Sequence, residues 1–67
     1  MTVIKTEIWT SNGELESRGN FSAKSYPAAA KKATAWFSEA DIKPTTKTKL
    51  DEDLWRWEYD PENDPNA

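Results

Sequence analysis

Neither cysteine nor histidine occurs anywhere in this chain of 67 residues, and glycine occurs only twice. Without a thiol there is no disulfide and no thiolate nucleophile, and without imidazole the commonest general base is missing. Lacking both, the chain has no means of building a zinc site. Two glycines make no phosphate-cradling loop. No apolar run approaches the ~20 residues that span a bilayer. Met1-Thr2-Val3-Ile4-Lys5-Thr6-Glu7 lacks the basic start and apolar stretch of a signal peptide. Asn20-Phe21-Ser22 fits a glycosylation sequon, which without an export signal reads as a chance match. The expectation is a cytoplasmic protein that is not an enzyme, needs no cofactor or metal and does not enter a membrane.

What is present is aromatic. Four tryptophans, two tyrosines and two phenylalanines stand in for the staples that small domains often need. A chain of this length has room for one domain and buries only about 60% of the surface its unfolded form exposes. Its total stability should be about 3–10 kcal/mol. The net charge of −3 hides an asymmetry. Residues 1–50 carry eight Lys/Arg against five Asp/Glu, a balance of +3, whereas residues 51–67 carry seven acids against Arg56, a balance of −6. Such a dipole can steer a charged partner, although acidic ends also serve solubility alone.

Residues 3–10 read as a strand running into Ser11-Asn12-Gly13-Glu14. Asn-Gly between alternating runs predicts a two-residue type I′ turn. That turn pairs Ser11 with Glu14, Thr10 with Leu15, Ile8 with Ser17, Thr6 with Gly19 and Ile4 with Phe21. Ile4, Ile8, Leu15 and Phe21 then share one face, and on the other face Glu7 opposes Arg18 as a favourable charge pair.

A helix follows from Ser25, a plausible N-cap with Pro27 in the first turn, to about Ala40. Tyr26, Ala29, Ala30, Ala33, Phe37 and Ala40 form its apolar stripe, with Trp36 at the flank. Pro44 pushes the preceding residue out of helical geometry and ends it. Residues 45–50 and 54–59 alternate as two further strands. An even-numbered loop between them pairs Leu50 with Trp55, Thr48 with Trp57, Thr46 with Tyr59 and Lys47 with Glu58. Trp55, Trp57 and Tyr59 then face the core. Residues 61–67, within Asp60-Pro61-Glu62-Asn63-Asp64-Pro65-Asn66-Ala67, read as a disordered acidic tail behind a single domain of residues 1–60.

The predicted class is therefore α+β, ββαββ, a four-stranded and mainly antiparallel sheet with one helix packed across one face. The first and last strands hold the most apolar side chains, so they belong in the middle, in the order 2-1-4-3. In element order this resembles the immunoglobulin-binding domains of streptococcal protein G, from which no binding residues carry over. A curled sheet without the parallel central pair is the alternative.

Carboxylates cluster at Glu14/Glu16 and at Asp51/Glu52/Asp53, both beside turns. Exposed turn acids gain neither the burial nor the close like charge that would make a general acid. The acidic trio also lacks the spacing and glycine of a calcium loop. No catalytic or metal-ligating residue is assigned. A binding surface is easier to place. Trp9 falls on the strand face away from the helix, together with Lys5, Glu7, Glu16 and Arg18, and Lys47 and Lys49 are expected to share that open face. Tryptophan and arginine dominate binding hot spots, which makes this set the candidate partner site; the plain alternative is that Trp9 covers its own turn.

Three partner classes suit such a face. A protein partner fits the mixed charge. Single-stranded nucleic acid fits exposed rings among lysines, though a sequence pI near 4.8 opposes it. A homodimer through an edge strand or the open face is the third. Phe21-Ser22-Ala23-Lys24-Ser25, then Ala29 and Ala33, then Leu54-Trp55-Arg56-Trp57-Glu58-Tyr59, give a layout similar to small phage-encoded accessory proteins of the anti-CRISPR type. That resemblance implies a binder which blocks a larger machine by occupying one of its surfaces, and it transfers no functional residue.

Overall fold

The computed structural model describes residues 1–64. Strand β1 (Thr2–Trp9) turns into β2 (Leu15–Ala23), helix α1 (Tyr26–Glu39) follows, and β3 (Thr46–Asp51) turns into β4 (Leu54–Tyr59). A short 3-10 helix, Pro61–Asn63, closes the described chain. The strands form one sheet in the order β2-β1-β4-β3, with β1 and β4 parallel at the centre and both hairpins antiparallel. This is the expected ββαββ arrangement, including its strand order. The curled alternative is not what the chain adopts.

Alternation along β1 makes the two faces. Thr2, Ile4, Thr6 and Ile8 are buried toward the helix, while Val3, Lys5, Glu7 and Trp9 point the other way. Ile4, Ile8, Ala29, Ala33, Phe37 and Trp57 make the core, with Phe21, Trp36 and Ile42 packed against it. Alanines at 29 and 33 let the helix lie close, and it rests on β1 and β2. The β4–β3 half of the same face is covered by side chains instead. The Tyr26 ring lies 4.9 Å from Trp55 and 6.5 Å from Trp57, and Lys47 Nζ sits 4.2 Å above the Trp57 ring. Tyr26 is therefore a half-open cover, 37% exposed, rather than a buried anchor. Trp55 and Tyr59 are half-buried for the same reason, and only Trp57 of that strand is fully enclosed.

The first hairpin differs from expectation at its turn. Gly13 alone has positive φ, at 79°, and its N–H donates to the Thr10 carbonyl at 3.0 Å. Thr10 N–H donates to the Glu14 carbonyl at 2.8 Å, so the loop is three residues, Ser11 to Gly13. A type I′ turn would need Asn12 at positive φ as well; this is the three-residue loop with glycine in the left-handed position. The register then shifts between Ile8 and Trp9, leaving Glu16 as the extra residue of a bulge. Beyond the bulge Ile8 meets Ser17, Glu7 meets Arg18, Thr6 meets Gly19 and Ile4 meets Phe21, as expected. Before it, Leu15 meets Trp9 and lies 39% exposed, which takes it off the core face.

Ser25 occupies the N-cap position of α1, but its side chain makes no capping hydrogen bond. The C-terminus closes before Pro44 acts. Ile42 N–H donates to the Phe37 carbonyl at 3.2 Å, Asp41 N–H donates to the Ser38 carbonyl at 2.9 Å, and Asp41 has φ of 59°. Those two bonds with a left-handed residue between them are a Schellman motif, and Ile42 supplies its apolar contact with the core.

The second hairpin has the even loop that was expected, closed by Asp51 opposite Leu54. A shift between Lys49 and Asp51 then bulges Leu50. The strand body is consequently out by one from the expected register. Thr46 opposes Glu58, Lys47 opposes Trp57, Thr48 opposes Arg56 and Lys49 opposes Trp55. Because α1 does not extend over β3, the helix-side face there meets water, and lysine stems can cover tryptophan while their heads stay solvated. Thr45 holds this register. Its N–H and hydroxyl both donate to the Glu58 carbonyl, at 2.8 and 3.2 Å, and its Oγ1 accepts from Asp60 N–H at 3.1 Å.

Residues 61–64, the described part of the expected tail, include the 3-10 helix Pro61–Asn63. Asp60 Oδ1 accepts from Glu62 N–H at 3.0 Å, and Tyr59 Oη donates to Asp64 Oδ2 at 2.9 Å. That hydrogen bond, burial and the negative charge of Asp64 raise the Tyr59 phenol above its ordinary value near 10. Residues 65–67 of the expected tail lie outside the described residues.

Candidate functional site

The helix occupies one face of the sheet and leaves the other open. Residues from all four strands meet there in rows. Asn20, Lys5, Arg56 and Thr48 are successive partners across β2-β1-β4-β3, and the next row runs Arg18, Glu7, Glu58, Thr46. A groove of about 610 Å³ lies across this face, lined by Lys5, Glu7, Arg18, Asn20, Leu50 and Arg56 together with the flanking backbone of Thr6 and Gly19.

The electrostatics of the rows are unfavourable at the sheet centre. Lys5 stands opposite Arg56, and Glu7 stands opposite Glu58. Like charges directly across a strand pair destabilise it. One contact along β4 relieves part of this, the Arg56 Nε–Glu58 Oε1 ion pair at 3.0 Å. It is the only ion pair within 4 Å among the described residues. Glu7 and Arg18 are partners in register, as expected, yet they do not close into an ion pair. Lys5 and Arg18 therefore present charges to the groove that no carboxylate among the described residues takes up within 4 Å.

Of the residues assigned from sequence, the structure brings Lys5, Glu7 and Arg18 together in the groove. Trp9 lies at one end of the same face, opposite Leu15 and half-buried rather than fully exposed. Its indole Nε1 is buried without a hydrogen-bond partner. Glu16 sits in the β2 bulge, outside the groove. Lys47 and Lys49 are not on this face: the one-residue shift of β3 turns them to the helix side, against Trp57 and Trp55. Three groove side chains were missing from the sequence assignment, Asn20, Arg56 and Leu50. Arg56 was legible, since it separates two inward tryptophans and must point outward. Leu50 was not, because only the bulge carries its side chain to this face, where it is 44% exposed.

Among the described residues no helix is long and apolar enough to cross a membrane, and no group of three or more His, Cys, Asp or Glu converges to hold a metal ion. No protein-family model, curated protein or solved structure matches the chain.

Proposed function

We propose that the chain is a non-enzymatic protein-binding module that acts by laying the open face of its sheet on a surface of a larger complex. The observation that carries this reading is the set of charge rows on that face. The fold holds Lys5 beside Arg56 and Glu7 beside Glu58 at a cost in stability, in a groove with an outward leucine. Sites that cost the fold are where function is sought. For the narrower reading, an inhibitor of the phage or mobile-element type working in the cytoplasm, the support is the layout resemblance.

The test is a tagged pull-down from bacterial lysate, run with and without nuclease, using the parent and two variants. Asn20→Trp fills the groove from β2 without changing charge, and Lys31→Glu alters the exposed helix surface. A stoichiometric protein should be captured by the parent and by Lys31→Glu, survive nuclease, and be lost with Asn20→Trp. Nuclease-sensitive recovery, or capture that Asn20→Trp leaves intact, would overturn the proposal.

A further inference from the structure

We infer that the open-face groove takes an acidic peptide segment of the partner, with carboxylates on Lys5 and Arg18 and an apolar side chain against Leu50. This rests on the binding-module reading and names the chemistry of the same site. Three cations line the groove against a single carboxylate, Glu7. Arg56 is already engaged by Glu58 at 3.0 Å, whereas Lys5 and Arg18 make no ion pair within 4 Å among the described residues. A carboxylate placed over Lys5 also screens it from Arg56, its partner across β1 and β4. Repulsion present in the free protein is thereby relieved in the complex. The guanidinium of Arg18 offers the forked donor geometry that a carboxylate matches. Leu50 supplies an apolar contact beside these charges, so the ligand is amphipathic and not a simple anion.

A nucleic-acid strand fits the same groove poorly. Its evenly spaced phosphates would run over the Glu7–Glu58 row as well as the Lys5–Arg56 row. Base stacking needs an open ring, and Trp9 on this face is half-buried. Lys47 and Lys49, which would have extended the basic surface, lie on the opposite side of the sheet.

The probe is the pentapeptide acetyl-Glu-Glu-Leu-Glu-Glu-amide, titrated into 15N-labelled protein by NMR, with acetyl-Lys-Lys-Leu-Lys-Lys-amide and an octathymidylate as comparisons. The acidic peptide should shift the amides of Lys5, Arg18, Asn20 and Leu50. Its affinity should fall at least tenfold in Lys5→Glu/Arg18→Glu and stay within twofold in Lys31→Glu/Lys32→Glu, which has the same formal charge. If the first double variant does not fold, Leu50→Ser and Arg18→Gln carry the test, each expected to weaken binding severalfold. Shifts confined to other residues, equal weakening in the two double variants, or tighter binding of octathymidylate at the groove would each refute the inference. Partner capture separates the two proposals. Loss with Asn20→Trp but not with Lys5→Glu/Arg18→Glu would retain the binding face and remove the acidic segment; no loss with either would remove the face itself.

Discussion

Replacing Gly19 by alanine tests how tightly the helix is set on the sheet. Gly19 has no left-handed φ, unlike Gly13, so its requirement is for space. A Cβ built there would lie 2.8 Å from Thr6 Oγ1, 3.1 Å from Phe21 Cε2 and 3.3 Å from Trp36 Cε2. Thr6 is fully buried at 0% exposure, and its Oγ1 already has no hydrogen-bond partner to exchange. Its short side chain has no solvent to swing into. Overpacking of this kind costs about 1–3 kcal/mol. Alanine offsets part of that, about 0.5–1 kcal/mol, through the smaller backbone entropy it loses in a strand. The net expectation is a loss of roughly 0.5–2 kcal/mol, which lowers Tm by about 2–16 °C in a domain of this size. Thermal and urea unfolding, followed by far-UV circular dichroism, would measure it. The cause is separable by a double-mutant cycle with Thr6→Ala. If the clash with Oγ1 dominates, the double variant should be more stable than the two single losses predict, by about 0.5–2 kcal/mol. A Gly19→Ala variant that melts at or above the parent, or strict additivity with Thr6→Ala, would refute the reasoning.

Two further outcomes follow from the ends of elements. Asp41 holds the left-handed position of the Schellman motif, where glycine has no Cβ penalty. Asp41→Gly should therefore raise stability by about 0.5–1 kcal/mol, and a lower urea midpoint would show that the aspartate side chain matters more than its backbone. Tyr59 donates to Asp64, and its raised phenol means that the folded state holds the proton more tightly than the unfolded chain. The contribution is complete below pH 10 and is lost as pH rises past that value toward the folded-state pKa. In a Tyr26→Phe background, ultraviolet titration should show the remaining phenolate forming at higher pH in the folded protein than after Asp64→Asn; identical curves would remove the interaction.

Local patterns in the chain carried most of the architecture. The Asn-Gly turn, the alanine stripe with Phe37, and the alternation Trp55-Arg56-Trp57-Glu58-Tyr59 are each decided by neighbours in sequence, and they suffice for ββαββ. The central placement of β1 and β4 followed from their apolar content, because unpaired edges favour charge. The outward face of β1 was equally legible, and with it Lys5, Glu7 and, across the hairpin, Arg18.

Register was legible only where two errors cancelled. In the first hairpin the loop is one residue longer than the Asn-Gly rule gives, and the bulge at Glu16 returns that residue, so Glu7 still meets Arg18. In the second hairpin the even loop is as expected, and the bulge at Leu50 has nothing to cancel it. Neither bulge has a glycine to mark it. Both are settled by contacts remote in sequence: the first by Ile4, Thr6 and Ile8 needing to stay beneath α1, the second by Thr45 bonding Glu58 and by Lys47 covering Trp57. Since side chains alternate with a period of two, one such residue exchanges the faces of a whole strand. That single exchange takes Lys47 and Lys49 out of the candidate site and puts Leu50 into it. It changes the chemistry of the face from an extended basic surface, suited to a polyanion, to a bounded cationic groove with an apolar wall. The partner class argued for this protein thus turns on one bulge, and a covalent trap could read it directly. Cysteines introduced at Thr48 and Arg56, on the open face in this register, would be cross-strand partners, whereas the register expected from sequence would pair Thr48 with Trp57.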